Sequence, residues 1–343
     1  MTPATTGCTH CAAAGPSMTE NRRVTAPGSD VPPTTPTATV AKALVDSVSA
    51  VVLGKQQEVV LVVAGLLSGG HVLLEDVPGV GKTLLARSLA RSLGGSMARI
   101  QGTTDLMPSD ITGVNVYDPG NHSWKFHPGP VFNNVVLLDE VNRATPRSQS
   151  ALLEAMSEGQ VTIDGVGHPL PLPFFVIATQ NPYGDVGTFP LSEGQSDRFA
   201  LIVSLGLPGR EAERAILRGD GGPTALEALE TVVSGPDLAA AVADVDGTHV
   251  EPAVADYVLD IVDATRSHPD LDHGASPRAA RTFLQVAKAH AVLTGRDFVS
   301  PDDVKAVAVA VLAHRLGVLS RRGTDATRRL VEDLLGDVAA PNA

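Results

Sequence analysis

The chain has 343 residues, of which 43% are hydrophobic, and carries a formal net charge of −12. That size and apolar content can bury a sizeable core, in one large or two modest domains. The acidic balance, with no Lys/Arg-rich run, counts against nucleic acid as the main partner.

Residues 1–40 hold ten Thr, six Pro and four charged residues, with no periodic apolar face. Such a segment cannot bury enough surface to offset its ordering entropy, so a disordered tail is expected. Cys8 and Cys11 form a single Cys-x-x-Cys without a second pair, and read as incidental rather than metal-binding. Met18 is an alternative start that would remove both. The N-terminus has no basic-then-apolar leader layout, and the longest apolar run, 59–67, is of buried-helix length. With no disulfide framework, a cytoplasmic location is expected.

The most informative stretch follows. An apolar strand over 71–75 leads into Asp76-Val-Pro-Gly-Val-Gly-Lys-Thr83, and Leu85, Leu89 and Leu93 then recur at helical spacing. A glycine-rich turn between strand and helix, closing in Gly-Lys-Thr, is the setting of a phosphate-binding loop. Gly79 and Gly81 let backbone amides converge on phosphate oxygens at a helix N-terminus. Lys82 reaches the outer phosphates and the Thr83 hydroxyl ligates Mg2+. The full pattern has glycine where this chain has Asp76, a residue expected to tolerate a left-handed turn. By itself the match leaves room for a merely structural turn.

Further strands are expected over 98–102, 135–139, 174–179 and 200–205, with helical stretches between them. This alternation predicts a mostly parallel sheet covered on both faces. The third strand ends in Asp139-Glu140, where open α/β sheets collect their chemistry. Asp139 is placed to hold Mg2+ through water and Glu140 to act as general base; the bland alternative is a solvated strand end. Asn181, closing the fourth strand, either orients the attacking water or caps the turn before Pro182. Two hairpins are expected: one over 113–127 carrying Trp124, and one turning at Asp164-Gly165. After Pro208 helix follows helix. Val254, Val258, Ile261 and Thr265 line one face, Ser276-Pro277 and Ser300-Pro301 open two helices, and 306–316 reads as apolar helix.

Taken together, Gly70-His-Val-Leu-Leu-Glu-Asp-Val-Pro-Gly-Val-Gly-Lys-Thr83, Gly129-Pro-Val-Phe132, Leu137-Leu-Asp-Glu-Val-Asn-Arg-Ala144, Ser150-Ala-Leu-Leu-Glu-Ala-Met156 and Ala178-Thr-Gln-Asn-Pro182 resemble an AAA+ ATPase of the MoxR family. The likeness runs from about residue 41 to about 335. It implies a phosphate-loop α/β domain over 41–208, with a five-stranded parallel sheet in the order 5-1-4-3-2. An all-helical lid over 209–336 and a short tail, 337–343, would follow. The resemblance also implies that Pro78, Gly79, Val80, Gly81, Lys82, Thr83 and Leu84 cradle ATP, with Mg2+ on Thr83 and Asp139. Arg198 matches the arginine finger that enters a neighbouring subunit's site. Arg278, in the first turn of a helix where a cation opposes the helix dipole, matches the second sensor, reaching from the lid across the nucleotide. The two hairpins correspond to the family's helix-2 insertion and pre-sensor hairpin. Activity is expected to be ATP-driven remodelling or metal insertion on a client protein, in a hexameric ring, with a von Willebrand A-domain partner. A nucleotide-gated scaffold and a magnesium-chelatase-type subunit are the alternatives.

Overall fold

The computed structural model describes residues 36–181, 187–318 and 324–341. The tail expected to 40 lies outside these as far as residue 35, with Cys8, Cys11 and Met18. Its last five residues are not tail: the helix Pro36–Ser49 begins there, with Thr37 and Ala38 buried.

Five parallel strands form the central sheet: β1 Val72–Glu75, β2 Met97–Gln101, β3 Val135–Asp139, β4 Phe175–Gln180 and β5 Leu201–Val203. Their order is β2-β3-β4-β1-β5, the expected arrangement read from the opposite edge. The three central strands are continuous apolar runs because helices cover both of their faces. Alternation divides them between two cores. Leu74, Leu137 and Ile177 join Leu85 and Leu89 on one side, while Leu73, Leu138 and Ala178 meet Leu152 and Leu153 of the helix Pro146–Glu158 on the other. In-register pairing of Gln101 with Asp139, and of Glu75 with Gln180, brings the C-terminal ends of β1 to β4 level. That alignment builds the site.

Both hairpins form. Gly113–Asp118 pairs antiparallel with Ser123–Pro128, and Gln160–Ile163 with Val166–Pro169. Asp164 and Gly165 both take positive φ, 49° and 80°, the conformation that a two-residue primed turn requires. The hairpins touch: Asn115 Nδ2 donates to Asp164 Oδ2 at 2.7 Å, and the Phe126 and His168 rings stack at 4.0 Å. Trp124 is 69% exposed and rests on Tyr117, its partner across the strand pair.

From Arg210 onward the described residues form seven α-helical segments, ending with Thr324–Asp337. Val254, Val258, Ile261 and Thr265 are all buried along Pro252–Ser267, as their spacing predicts. Two details depart from expectation. The lid also holds one short antiparallel pairing, Leu271–His273 with Gly317–Val318. The 306–316 stretch is not one helix: Pro301–Leu312 ends in a 3-10 turn, Ala313–Arg315. The lid helix Pro277–Leu293 packs on Pro36–Ser49 and on Gln56–Leu67, with Phe283 and Ala287 in the same core as Leu44 and Val63. Among the described residues, no helix is long and apolar enough to cross a membrane.

Candidate functional site

A cleft of about 390 Å³ opens at the C-terminal ends of β1 to β4. Pro78, Gly79, Gly81, Lys82, Thr83 and Leu84 form one wall, and Asp139, Glu140 and Asn181 face them. Val80 is buried beneath the loop, in the core. Gly79 and Gly81 take φ of 89° and 102°, so their glycine identity answers to backbone conformation; a Cβ at either would meet nothing within 4 Å. Gly81 serves as N-cap of the helix Lys82–Ser92, whose first turn points into the cleft.

Asp76 does not use the left-handed turn that its position suggested; its φ is not positive. It stands there for its side chain. Oδ1 accepts from the Val77 amide at 3.0 Å, and Oδ2 accepts from the Gly206 amide at 2.6 Å and the Ser204 hydroxyl at 3.4 Å. The buried carboxylate thus fastens the start of the loop to the chain just beyond β5. Lys82 Nζ donates to the carbonyls of Asp76 and Val77 at 2.7 and 3.0 Å. Burial pushes its pKa below the usual lysine range, while Asp76, Asp139 and Glu140 pull the other way.

The acidic pair is held by residues that motif reading missed. Thr179 on β4 accepts the Glu140 amide at 2.9 Å and donates to Asp139 Oδ1 at 3.4 Å. Glu140 itself has φ 56° and ψ 54°, a left-handed geometry costly for a non-glycine residue. Gly102 permits the close approach behind it, since a Cβ there would lie 2.2 Å from the Glu140 carbonyl. Asp139 Oδ2 accepts from Arg99 Nε at 2.6 Å, and Glu140 Oε2 accepts from Gln101 Nε2 at 3.1 Å and Arg143 Nη1 at 3.0 Å. Arg99 Nη2 also donates to Gln101 Oε1 at 3.4 Å, so the two carboxylates are joined through the edge strand β2. At the C-terminal end of β1, Glu75 meets Gln180 at 3.0 Å and Arg328 of the last helix at 3.7 Å.

The two remaining predicted residues lie elsewhere. Arg198 and Arg278 line a second cavity of about 460 Å³, together with His71, Asp197, Arg281 and Arg315. Arg278, expected to reach from the lid across the nucleotide, lines this second cavity and not the loop cleft of its own chain; Asp197 lies 3.8 Å from its Nε. Arg198 forms no salt bridge with its chain neighbours Glu193 and Asp197, which have other partners. Asp197 is engaged by Arg315 and Arg278, and Glu193 by His273. Arg315 is the anchor of this region and was not foreseen. Its side chain is 2% exposed and donates to Asp197 Oδ1 at 2.8 Å and to the carbonyls of Phe199 and Ala200 at 2.6 and 3.0 Å, fixing the turn that bears Arg198.

With this geometry, known proteins can be compared. Residues 71–201 match the ATPase family associated with various cellular activities (AAA), and residues 263–334 match the AAA lid domain. The chain is 43% identical over 280 residues to Chaperone MoxR1 of Mycobacterium tuberculosis, covering 78% of this chain and 73% of that protein. It belongs to the MoxR family of AAA+ ATPases. This MoxR chain is also 44% identical over 272 residues to the uncharacterized protein YeaC of Bacillus subtilis, covering 79% of the chain and 85% of that protein. A crystal structure from Cytophaga hutchinsonii, of a protein provisionally termed an ATPase, superposes with a TM-score of 0.80 at 36% identity, covering 89% of the MoxR chain and 96% of its own.

Proposed function

We propose that this protein hydrolyses ATP with Mg2+ at sites completed between neighbouring copies in a ring, and uses the cycle to remodel a client protein. The observation that carries the reading is the division of labour between the two cavities. The loop, Asp139, Glu140 and Asn181 share one cleft, whereas Arg198 and Arg278 open onto another. A neighbouring copy placed with the second cavity against the first would add two cations beside the terminal phosphate. Arginines supplied in this way are worth ~10³–10⁵ in rate for phosphoryl transfer.

Within the cleft, loop amides and Lys82 bind the phosphates once Lys82 exchanges the carbonyls of Asp76 and Val77 for phosphate oxygens. Glu140, released from Gln101 or Arg143, accepts a proton from the attacking water, and Asn181 orients that water. The donor set suits a hard divalent cation, because the Thr83 hydroxyl and the Asp139 carboxylate offer oxygen ligands to the same cleft. Bound there, Mg2+ would neutralise charge developing on the phosphates.

The chaperone name of the Mycobacterium tuberculosis relative supports the remodelling role. A von Willebrand A-domain partner, a hexameric ring and metal insertion into the client rest on the family resemblance, as does a cytoplasmic setting. The hydrogen bonds that hold Glu140 to Gln101 and Arg143 favour one second reading, a scaffold whose turnover waits for a partner. The deciding experiment is ATP hydrolysis per chain across a protein-concentration series. Specific activity that climbs with concentration supports composite sites, flat activity overturns them, and ATP binding without turnover favours the scaffold.

A further inference from the structure

Arg99 has no assigned part in the reaction, yet it is the closest charged partner of the residue expected to hold the cation. Arg99 and Gln101 lie two apart on β2 and so share a face of the sheet, and Gln101 pairs in register with Asp139. The Arg99 side chain runs along the strand to put Nε 2.6 Å from Asp139 Oδ2. Such charge-assisted bonds are short and about twice as strong as neutral ones. Asp139 is 9% exposed at its side chain and Arg99 is 56% exposed, so the carboxylate is fixed while the guanidinium has solvent to move into.

We infer that Arg99 competes with the divalent cation for the Asp139 carboxylate and thereby sets the cation concentration at which the nucleotide site charges. A dication approaching Asp139 meets a guanidinium already seated on one oxygen, and like charges at that separation repel. Arg99 must swing out before the metal is held. Its departure also frees the Gln101 amide oxygen, which it touches at 3.4 Å, so charging of the site and loosening of the β2 contacts to Glu140 are linked events. Arg99 is a positioning residue in this scheme; it acts through Asp139.

The inference rests on the nucleotide reading above, and its test separates the two. Binding of a fluorescent ATP analogue to the full chain is measured first in EDTA, and then in a titration with Mn2+ followed by electron paramagnetic resonance. Arg99→Ala is expected to leave binding in EDTA unchanged and to lower the half-saturating Mn2+ by roughly tenfold, the value of one charged hydrogen bond. Arg99→Lys should fall between the two. Asp139→Asn should remove the difference, so that the Arg99→Ala/Asp139→Asn double variant binds Mn2+ no better than Asp139→Asn. Unchanged or weaker Mn2+ binding by Arg99→Ala would overturn the inference. So would a drop in its ATP affinity in EDTA, which would make Arg99 a phosphate ligand instead. Failure of the wild-type chain to bind ATP at all would overturn the nucleotide reading, and this inference with it.

Discussion

The Gly206 amide donates a 2.6 Å hydrogen bond to the Asp76 carboxylate, tying the first residue of the glycine-rich loop to the backbone that leaves β5. Ala200, which lines the other cavity, leads into β5, so one buried side chain ties the loop of the first cavity to the far end of the strand that starts at the second. Restoring the glycine of the usual loop pattern should therefore be harmful. Asp76→Gly is expected to cost ~1.5–3 kcal/mol, the value of hydrogen bonds to a charged group, read by chemical denaturation. Unchanged stability would mean that the tether carries nothing.

Loss of Lys82 and loss of Glu140 should separate binding from chemistry. Lys82→Ala is expected to abolish ATP binding by calorimetry. Glu140→Gln should still bind but lose turnover; rapid hydrolysis by that variant would remove Glu140 from the role of base.

Buried Arg315 lies at the centre of an ion pair with the half-buried Asp197 and of three backbone bonds around residues 197–200. Removing Arg315 strips charged hydrogen bonds from Asp197 and from buried carbonyls, while Arg278 still faces Asp197, so the cost should be roughly 1.5–3 kcal/mol. Arg315→Met should show that loss in thermal unfolding. A near-neutral result would show that Asp197 finds enough other partners.

Mixing experiments address Arg198 and Arg278. If both act on a neighbour's nucleotide, adding Arg198→Ala or Arg278→Ala chains to wild type should depress activity beyond simple dilution. A strictly proportional decline for Arg278→Ala would return that residue to a role within its own chain.

The pH dependence of stability has a buried source. His71 accepts the Val176 amide at Nδ1 and faces the Met156 carbonyl with Nε2, and burial lowers its pKa from 6.5 to about 4. In the unfolded chain it protonates through 6.5, so between that pH and about 4 the unfolded state binds the extra proton. Stability should then fall as pH falls across this window, by up to about 3 kcal/mol, and level off below it. His71→Gln should flatten the curve over that interval when unfolding is followed by denaturant titration. A curve as steep as wild type would assign the slope to other groups.

Much of this was legible in the chain. Continuous apolar strands announce a sheet buried on both faces, and Gly-Lys-Thr and Asp-Glu at strand ends mark the cleft, because those signals are local. What escaped reading depends on contacts between distant residues. Arg99 reaches Asp139 across 40 positions and Arg315 reaches Asp197 across 118. Neither lies in a recognisable pattern: one is on an exposed edge strand, and the other sits in a turn that looked like the end of an apolar helix. Asp76 was read through its backbone tolerance when its side chain was the reason for it. The placement of Arg278 was missed because a helix start fixes a residue's local geometry, not the cavity it faces.

The joined hairpins have a mechanical meaning. One hydrogen bond and one stacked ring pair couple the hairpin that carries Trp124 to the second hairpin, which leaves directly from the end of Pro146–Glu158. On that helix Gln149, 1% exposed, grips the carbonyls of Val141 and Ala144, immediately after Glu140. Hairpins, helix and acidic pair are thus joined in series by these contacts, so a load on the first hairpin would reach the backbone that holds Glu140 through bonds already in place, with no new contact to be made.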